Sequence, residues 1–442
     1  MTLQFAAILQ HAISFPEFRP AMSVLLIIAL ILLAAQLAAK LWLEHINCRH
    51  ALSHANAVPA SVRGTIDEAT YRKSIDYTVA KSQLHRFEII FSAVVLAALL
   101  VSGMLPKWYE LWLQSFGGSS AAKTGFIFAL VVVSSLLGLP LDWYAQFHLE
   151  ERFGFNTTTP RLWWLDRLKG FVLSLLLGFP LLWLVLVLVE RAGPSWWLWA
   201  WAAILGFQLL MTILAPVLIL PLFNKFTPLP EGTLRERLVH LAQRTGFKAR
   251  AIQVMDGSKR SRHSNAFFIG FGKFRKIVLF DTLVDQLDEG ELEAVLAHEI
   301  GHYRKKHIPR MLAFSAVSLL VALYVVAWLA TQPWFFTAFG FQTPDTAIAL
   351  LLFGLLSGVL TFWFSPLLHW WSLRYEYQAD AFAAAHSEAR FLVGALRKLS
   401  TKNLSNLNPH PIYSGFYYSH PTLVEREAAL NRQTDNRVLQ PA

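Results

Sequence analysis

The chain has 442 residues, of which 55% are hydrophobic and 15% charged, and its formal net charge is +10. This composition is too apolar and too poor in charge for a series of soluble domains, and it excludes intrinsic disorder. An intrachain disulfide scaffold is also excluded, because Cys48 is the single cysteine. The remaining class is a membrane protein that crosses the bilayer several times and keeps its charge in polar segments.

Seven stretches are almost free of charge and long enough, at about 1.5 Å per residue, to cross about 30 Å of hydrocarbon as helices. The third and fourth stretches contain Pro140 and Pro180, whose lost hydrogen bonds neighbouring helices can replace. The first stretch is too long for the core of a signal peptide, so we interpret it as a permanent anchor. In chain order the predicted spans are Met22–Leu41, Phe87–Leu105, Thr124–Leu141, Phe171–Val189, Trp197–Leu222, Met311–Ala330 and Ala347–Leu368.

The distribution of lysine and arginine predicts the orientation of these spans. With the N-terminus outside, four of the 39 Lys and Arg residues fall on the outer side and 35 on the inner side. The C-terminus is then cytoplasmic, in a bacterial inner membrane or an endoplasmic reticulum membrane. Basic inner segments are attracted to anionic lipid, which accounts for the net charge, so we expect the lipid bilayer as a partner and no nucleic acid.

The spans divide the chain into four predicted regions. Residues 1–222 contain the first five spans, 223–310 a cytoplasmic segment, 311–371 the last two spans, and 372–442 a cytoplasmic C-terminal segment. Each cytoplasmic segment is short for an independent core, so we expect the two to pack together as one small α+β domain. The predicted fold class is therefore an α-helical polytopic membrane protein that carries this domain.

Short stretches rich in β-forming residues lie in the first cytoplasmic segment. Ala251–Met255 predicts one strand. Asn265–Phe271 and Lys276–Phe280 predict a hairpin-like pair of strands. Gly270 and Gly272 are expected to supply the turn of this pair.

The stretch Asp288–Arg310 predicts a helix, because its acidic residues come first and its basic residues last. It contains His298-Glu299-Ile300-Gly301-His302, the HExxH pattern. Residues four apart share one face of a helix, so both imidazoles can bind one metal ion while Glu299 stands beside a water bound to that ion. Solvated histidines on a cytoplasmic helix are the alternative interpretation.

A catalytic zinc site needs a third protein ligand and an open fourth position. After His302 the sixth and seventh spans return the chain to the inner side at Glu376, which we predict as the third ligand. Asp380 lies one helical turn later, where it can orient a liganding imidazole. An ion pair between Glu376 and Arg374 is the alternative. Both ligand helices are expected to run into spans, which places the metal within roughly 15 Å of the cytoplasmic membrane boundary.

Further motifs accompany this ligand set between Tyr71 and Arg426. They are Glu150-Glu151-Arg152-Phe153-Gly154-Phe155-Asn156, Pro221-Leu222-Phe223-Asn224-Lys225-Phe226, Asp256-Gly257-Ser258-Lys259-Arg260, Asn265-Ala266-Phe267, Ala379-Asp380 and Ser419-His420-Pro421. With these motifs the sequence resembles the type I CAAX prenyl endopeptidases, which are integral-membrane zinc metalloproteases. Leu373 departs from the family pattern, which has an arginine at that position.

The resemblance implies seven helices around a large water-filled chamber, closed on the cytoplasmic side by the zinc domain. It also implies that Asn265, Ala266 and Phe267 offer an edge strand to an extended peptide. His420 and Arg426 resemble residues that hold the substrate carbonyl or the oxyanion. From the residues alone, a buried strand edge, a cap at a helix start and a surface ion pair remain the alternatives for these three features.

We therefore expect one Zn²⁺ ion and hydrolysis near the C-terminus of hydrophobic or prenylated peptides, with Glu299 carrying the proton. Because liganding histidines must be neutral, activity should fall below roughly pH 6. A heat-shock-type membrane quality-control metalloprotease is a close alternative, which seven spans disfavour. A transporter or receptor with structural zinc is a more distant alternative. Transporters usually bury paired charges along their helices. Here Glu88 is the clearest acidic residue inside a predicted span, which disfavours a transporter.

Overall fold

The computed structural model describes residues 23–59, 62–64, 66–247, 251–269 and 276–438. Its first half is built from long helices whose starts carry polar caps. The side chains of Ser23, Asp67, Ser119 and Thr159 each accept a hydrogen bond from the backbone of the first turn. In chain order the helices are α1 (Val24–Ser53), α2 (Glu68–Val101), α3 (Met104–Phe116), α4 (Ser120–Phe153), α5 (Pro160–Arg191) and α6 (Gly193–Phe223).

Each of the spans α4, α5 and α6 contains one π-helical turn, and the helices continue through it. The prolines predicted to disturb two of the spans, Pro140 and Pro180, therefore do not end them. In α4 the π-helical turn ends at Glu150, whose carboxylate accepts a hydrogen bond of 2.7 Å from the Tyr77 hydroxyl in α2. This contact connects two spans at the end that faces the sheet.

A small sheet follows the fifth span. Its strands have the order β1-β2-β4-β3, so β3 lies at the edge of the described sheet. Strands β3 and β4 pair antiparallel, which confirms the predicted hairpin partners, although the turn at Gly270 and Gly272 lies outside the described residues. The elements of this segment are β1 (Phe226–Pro228), α7 (Thr233–Arg244), β2 (Ala251–Met255), β3 (Ala266–Ile269), β4 (Lys276–Phe280), α8 (Asp281–Gln286) and α9 (Glu289–Arg304).

The prediction of one helix over Asp288–Arg310 is wrong in its last turns. Helix α9 ends at Arg304, Lys306 has a left-handed φ of 57°, and a separate helix α10 (His307–Leu329) begins after it. Pro309 gives the physical reason, because a continuous helix would require a hydrogen bond from its missing N–H to the carbonyl four residues earlier. The helix with the HExxH pattern therefore does not run directly into a span.

The remaining elements are helices, and the last of them pack in one hydrophobic core with the sheet. They are α11 (Pro333–Thr337), α12 (Thr346–His386), α13 (Ala389–Lys402), α14 (Pro411–Tyr417) and α15 (Leu423–Val438). One hydrophobic cluster contains Leu241 and Ile300 from residues 223–310 and Ala383, Leu392 and Leu430 from residues 372–442. Because burial of one such leucine contributes about 1.5–3 kcal/mol, the two segments stabilise each other.

Seven described helices are long and apolar enough to cross a membrane: α1, α2, α4, α5, α6, α10 and α12. Together with the small sheet and its helices, they confirm the predicted fold class of a polytopic α-helical membrane protein with a compact α+β part. Helix α12 continues without a break in its helical path from the last span to Glu376, so one element connects the membrane to the candidate site.

Candidate metal centre

Helices α9 and α12 approach each other backbone to backbone at Gly301. A Cβ atom on this residue would lie 2.9 Å from the Cα atom of Ala379. Only a residue without a side chain allows two helices to come this close. The approach brings Glu376 and Asp380 of α12 to His298 of α9.

We expect Gly301→Ala to weaken metal binding, because the added methyl group would push α12 away from α9. Overpacking of this kind costs about 1–3 kcal/mol, which a lower Tm would show, and the displaced carboxylate should lower zinc affinity as well. Gly206→Ala is the matched control, since a Cβ atom there meets nothing within 4 Å. Equal Tm and equal zinc affinity of both variants would contradict this explanation.

Three ligand atoms converge at this helix contact. The Nε2 atoms of His298 and His302 lie 3.2 Å apart, and the carboxylate of Glu376 lies 3.4 and 3.3 Å from them. Atoms bound at about 2.0–2.1 Å to one tetrahedral zinc ion would lie about 3.3 Å from one another. The buried Oε2 atom of Glu376 has no hydrogen-bond partner among the described residues, and a bound cation would satisfy it. These residues therefore fit a small divalent cation.

The alternative of an ion pair between Glu376 and Arg374 does not hold, because the Arg374 guanidinium lies over the Trp370 ring at 3.7 Å from its centroid. Glu376 is 4% exposed and points at the two histidines instead. The predicted ligand set His298, His302 and Glu376 is thus brought together in space.

A buried carboxylate orients the first of these histidines. The Nδ1 atom of His298 lies 2.8 Å from Oδ1 of Asp380, so an Nδ1–H donor there leaves Nε2 free for a metal. Arg426 holds this carboxylate in turn, with Nε 2.9 Å from Oδ2 and Nη2 2.5 Å from Oδ1. Since Arg426 is only 9% exposed, the alternative of a surface ion pair is wrong for this residue. Arg426 thus holds Asp380, and its Nη2 atom also lies 3.3 Å from Nδ1 of His298.

His420 reaches the site from the segment ahead of α15. Its Nε2 atom lies 3.5 Å from Oε1 of Glu376, and its side chain is 64% exposed. The hydroxyl of Ser419 lies 2.9 Å from Nδ1, and donation to Nδ1 would leave Nε2–H as a donor at the site. The helix-cap alternative is wrong for His420, because Thr422 and Glu425 exchange the capping hydrogen bonds of α15.

Glu299 is half-buried and lies beside the two candidate ligand histidines on α9. Burial raises the pKa of its carboxyl group, while the neighbouring charges of His298 and His302 oppose the shift. A carboxylate with a raised pKa is better suited to accept a proton and return it near neutral pH.

The segment that the resemblance assigns to substrate binding forms the sheet edge. Asn265 is exposed and precedes β3, and Ala266 and Phe267 begin this strand. Strand β3 pairs with β4 on one side, where Ala266 lies opposite Leu279. On its other side no described strand pairs with it, so a further strand can add there.

A cavity of 680 Å³ lies at the start of this strand. Its wall includes His263, Asn403 and His420, so it approaches the candidate metal ligands at His420, whose Nε2 atom lies 3.5 Å from Glu376. His263 lies two residues before Asn265, and its Nε2 atom is 3.4 Å from the Glu150 carboxylate. The Glu150 motif thus fixes the segment that leads into the edge strand.

Sequence reasoning missed His307, whose side chain is 1% exposed. Its Nδ1 atom lies 3.1 Å from Nδ1 of His302, and its Nε2 atom lies 3.0 Å from Oε1 of Gln378. Residues five apart in one continuous helix are separated by about 140° around its axis, so the predicted helix could not place these two rings together. Pro309 was the available signal that the helix ends before this residue.

A helical membrane scaffold that presents an HExxH helix and a later glutamate to one cation defines an integral-membrane metalloendopeptidase. The chain matches two families in succession: residues 47–225 match the family described as CAAX prenyl protease N-terminal, five membrane helices, and residues 228–434 match peptidase family M48. This chain belongs to the CAAX prenyl proteases of peptidase family M48. The predicted enzyme class is thereby confirmed, and the transporter or receptor alternative is wrong.

Individual relatives agree with this assignment over most of their length. The chain is 37% identical to the CAAX prenyl protease 1 homolog of Arabidopsis thaliana, over 85% of this chain and 90% of the relative. It is 35% identical to CAAX prenyl protease 1 of Saccharomyces cerevisiae, over 86% and 90% respectively. Among solved structures, the crystal structure of S. mikatae Ste24p aligns with a TM-score of 0.86 at 33% identity, covering 92% of this chain and 98% of that one.

Proposed function

We propose that the protein is a zinc endopeptidase that cleaves hydrophobic or prenylated peptides near their C-terminus, at the membrane surface. The observation that carries this proposal is the triangle of His298, His302 and Glu376 ligand atoms, with sides of 3.2–3.4 Å. The relatives named as CAAX prenyl proteases support the choice of substrate class.

The proposed mechanism assigns one role to each polar side chain around the site. When bound, zinc supplies Lewis acidity toward a carbonyl oxygen and lowers the pKa of a water molecule. Glu299 accepts the proton of the attacking water and returns it to the departing amine. His420 donates a hydrogen bond from Nε2 to the oxygen on which negative charge develops. Asp380 and Arg426 hold His298 in the orientation that ligation requires.

The edge strand and the cavity suggest how the substrate lies. An extended peptide can add to the open side of β3 by main-chain hydrogen bonds. In antiparallel pairing, its C-terminal residues run toward Asn265 and His263, where the cavity begins. The cavity would then receive the few residues that follow the scissile bond, consistent with cleavage near the end of the chain.

We also propose that the metal site and the C-terminus face the cytoplasm and that the N-terminus lies outside. The support is the split of four outer against 35 inner Lys and Arg residues. A reporter that is active only in the cytoplasm, fused to the C-terminus, should be active in this topology. An inactive C-terminal fusion in correctly inserted protein would contradict it.

Three peptides of one CAAX sequence test the substrate class: one farnesylated on cysteine, one S-methylated, and one farnesylated but extended by about ten residues beyond the C-terminus. We expect the first to have the highest kcat/KM, at least about tenfold above the second, which corresponds to about 1.4 kcal/mol. We expect the extended peptide to be cleaved more slowly, because the cavity must then hold a longer segment. Equal turnover of all three would instead favour a general, heat-shock-type membrane peptidase.

A further inference from the structure

We infer that His307 is a positioning residue that holds His302 in the tautomer able to bind metal. This inference rests on the proposed metal site, since it concerns the imidazole of one of its ligands. It gives a function to the break between α9 and α10, because the break brings His307 back to the site.

The ring of His307 is held on three sides. Its Nδ1 atom lies 3.1 Å from Nδ1 of His302, and its Nε2 atom lies 3.0 Å from Oε1 of Gln378. One face of the ring stacks on Tyr375, with centroids 4.0 Å apart and planes inclined by 10°. A ring that is 1% exposed and fixed in this way keeps its two nitrogens aimed at these two partners.

The chemistry of the site determines the direction of each hydrogen bond. When Nε2 of His302 binds a metal, its Nδ1 carries the proton and must donate it. Nδ1 of His307 must then accept, which places the proton of this second ring on Nε2. That Nε2–H finds an acceptor in Oε1 of Gln378, so the chain runs from His302 through His307 to Gln378 without an unpaired donor.

The reverse direction is incompatible with ligation. If Gln378 donated to Nε2 of His307, then Nδ1 of His307 would carry the proton and donate it to Nδ1 of His302. The His302 proton would move to Nε2, where it blocks the lone pair that the metal needs. The carbonyl of Gln378 therefore selects the metal-binding tautomer of a ligand with which it makes no direct contact.

The two liganding histidines are thus oriented by different groups. His298 uses the charged pair of Asp380 and Arg426, whereas His302 uses a neutral imidazole and a side-chain amide. Outer partners of metal-binding histidines affect metal affinity by about 10–100-fold when they are removed. The neutral arrangement adds no further charge beside Glu376.

The backbone explains why this arrangement needs two helices. Lys306 has a left-handed φ of 57°, and His307 is the first residue of α10. The left-handed residue turns the chain so that residue 307 faces residue 302, which a single helix would separate by about 140°. The strained position at Lys306 is therefore tied to the imidazole contact.

The test measures zinc affinity of the full-length protein in detergent, by competition with a chromophoric chelator. We expect His307→Leu to lower zinc affinity about 10–100-fold. His307→Asn keeps a carbonyl oxygen to accept from Nδ1 of His302 and should restore most of that loss. His240→Leu, which removes an exposed histidine from α7, should leave the affinity unchanged.

A second pair of variants remains informative if His307→Leu fails to fold. Gln378→Leu removes the acceptor at the exposed end of the chain, whereas Gln378→Glu keeps it, so only the first should lower zinc affinity. Cobalt-loaded protein gives an independent readout, because its visible absorption bands report the geometry of the ligand field. We expect them to change in His307→Leu and Gln378→Leu and to keep the wild-type form in His307→Asn.

Two results would overturn the inference. One is wild-type zinc affinity in folded His307→Leu. The other is a loss in His307→Asn as large as that in His307→Leu, which would point to packing alone. Both differ from failure of the proposed function, in which the unaltered protein itself would bind no stoichiometric zinc.

Discussion

Glu299→Gln is expected to lower kcat/KM for peptide cleavage by at least about 10²–10⁴-fold while one zinc ion per chain stays bound. The amide keeps the size of the side chain but cannot accept the proton of the attacking water. The ligand atoms of His298, His302 and Glu376 are unchanged by this substitution, so metal content should not fall. Cleavage of a farnesylated peptide and zinc analysis of the same preparation measure both quantities.

Glu289→Gln is the matched control for this variant, because it changes a glutamate in the first turn of the same helix. We expect it to retain wild-type cleavage within about twofold, because residue 289 lies about 13 Å of helical rise before His298 and Gln keeps an oxygen that can accept the hydrogen bond from Thr233. Wild-type cleavage by Glu299→Gln would remove Glu299 from the mechanism, and the proton acceptor would have to be sought elsewhere.

Glu376→Ala is expected to abolish both zinc retention and cleavage. Without this carboxylate only the two imidazoles of α9 remain, and the buried cation would lose its single anionic ligand. The affinity loss should exceed the 10–100-fold that is typical of losing an outer partner. Zinc retained after gel filtration with a weak chelator, together with the zinc dependence of Tm, measures the effect.

Glu388→Ala serves as the control for this second variant. Glu388 follows the end of α12, and its side chain is 60% exposed beside Arg390. It should retain zinc and activity. Full zinc occupancy in Glu376→Ala would mean that the cation has another third ligand, although the chain would remain a member of its family.

The sequence could predict the membrane architecture because bilayer thickness imposes a long run of apolar residues. The predicted spans are shorter than the observed helices where the helices extend beyond the lipid. The second span was predicted from Phe87, whereas α2 begins at Glu68, capped by Asp67. Hydropathy detects the part of a helix that faces lipid, and the polar turns at its end are visible only through their caps.

The core of the site could also be predicted, for two separate reasons. The spacing of His298 and His302 follows from the period of a helix, and the return of Glu376 to the same side follows from two membrane crossings. The distances of 3.3 and 3.4 Å from the Glu376 carboxylate to the two rings agree with both arguments.

The contacts of Arg426, His307 and Gly301 could not be predicted from the residues alone, because these contacts depend on packing between distant elements. Arg426 lies in α15, and only the packing of α15 on α12 brings it to Asp380. His307 depends on a backbone break that charge order does not reveal. The need for a glycine at position 301 becomes visible only when Ala379 is known to lie against it.

We propose that one divalent cation is bound by two imidazoles of α9 and one carboxylate of α12. Anomalous diffraction from crystals of the active protein, recorded on both sides of the zinc absorption edge, tests it most directly. We expect one peak per chain, about 2.0–2.2 Å from Nε2 of His298, Nε2 of His302 and a carboxylate oxygen of Glu376. An active preparation with no peak there, or with its peak at other residues, would contradict the account.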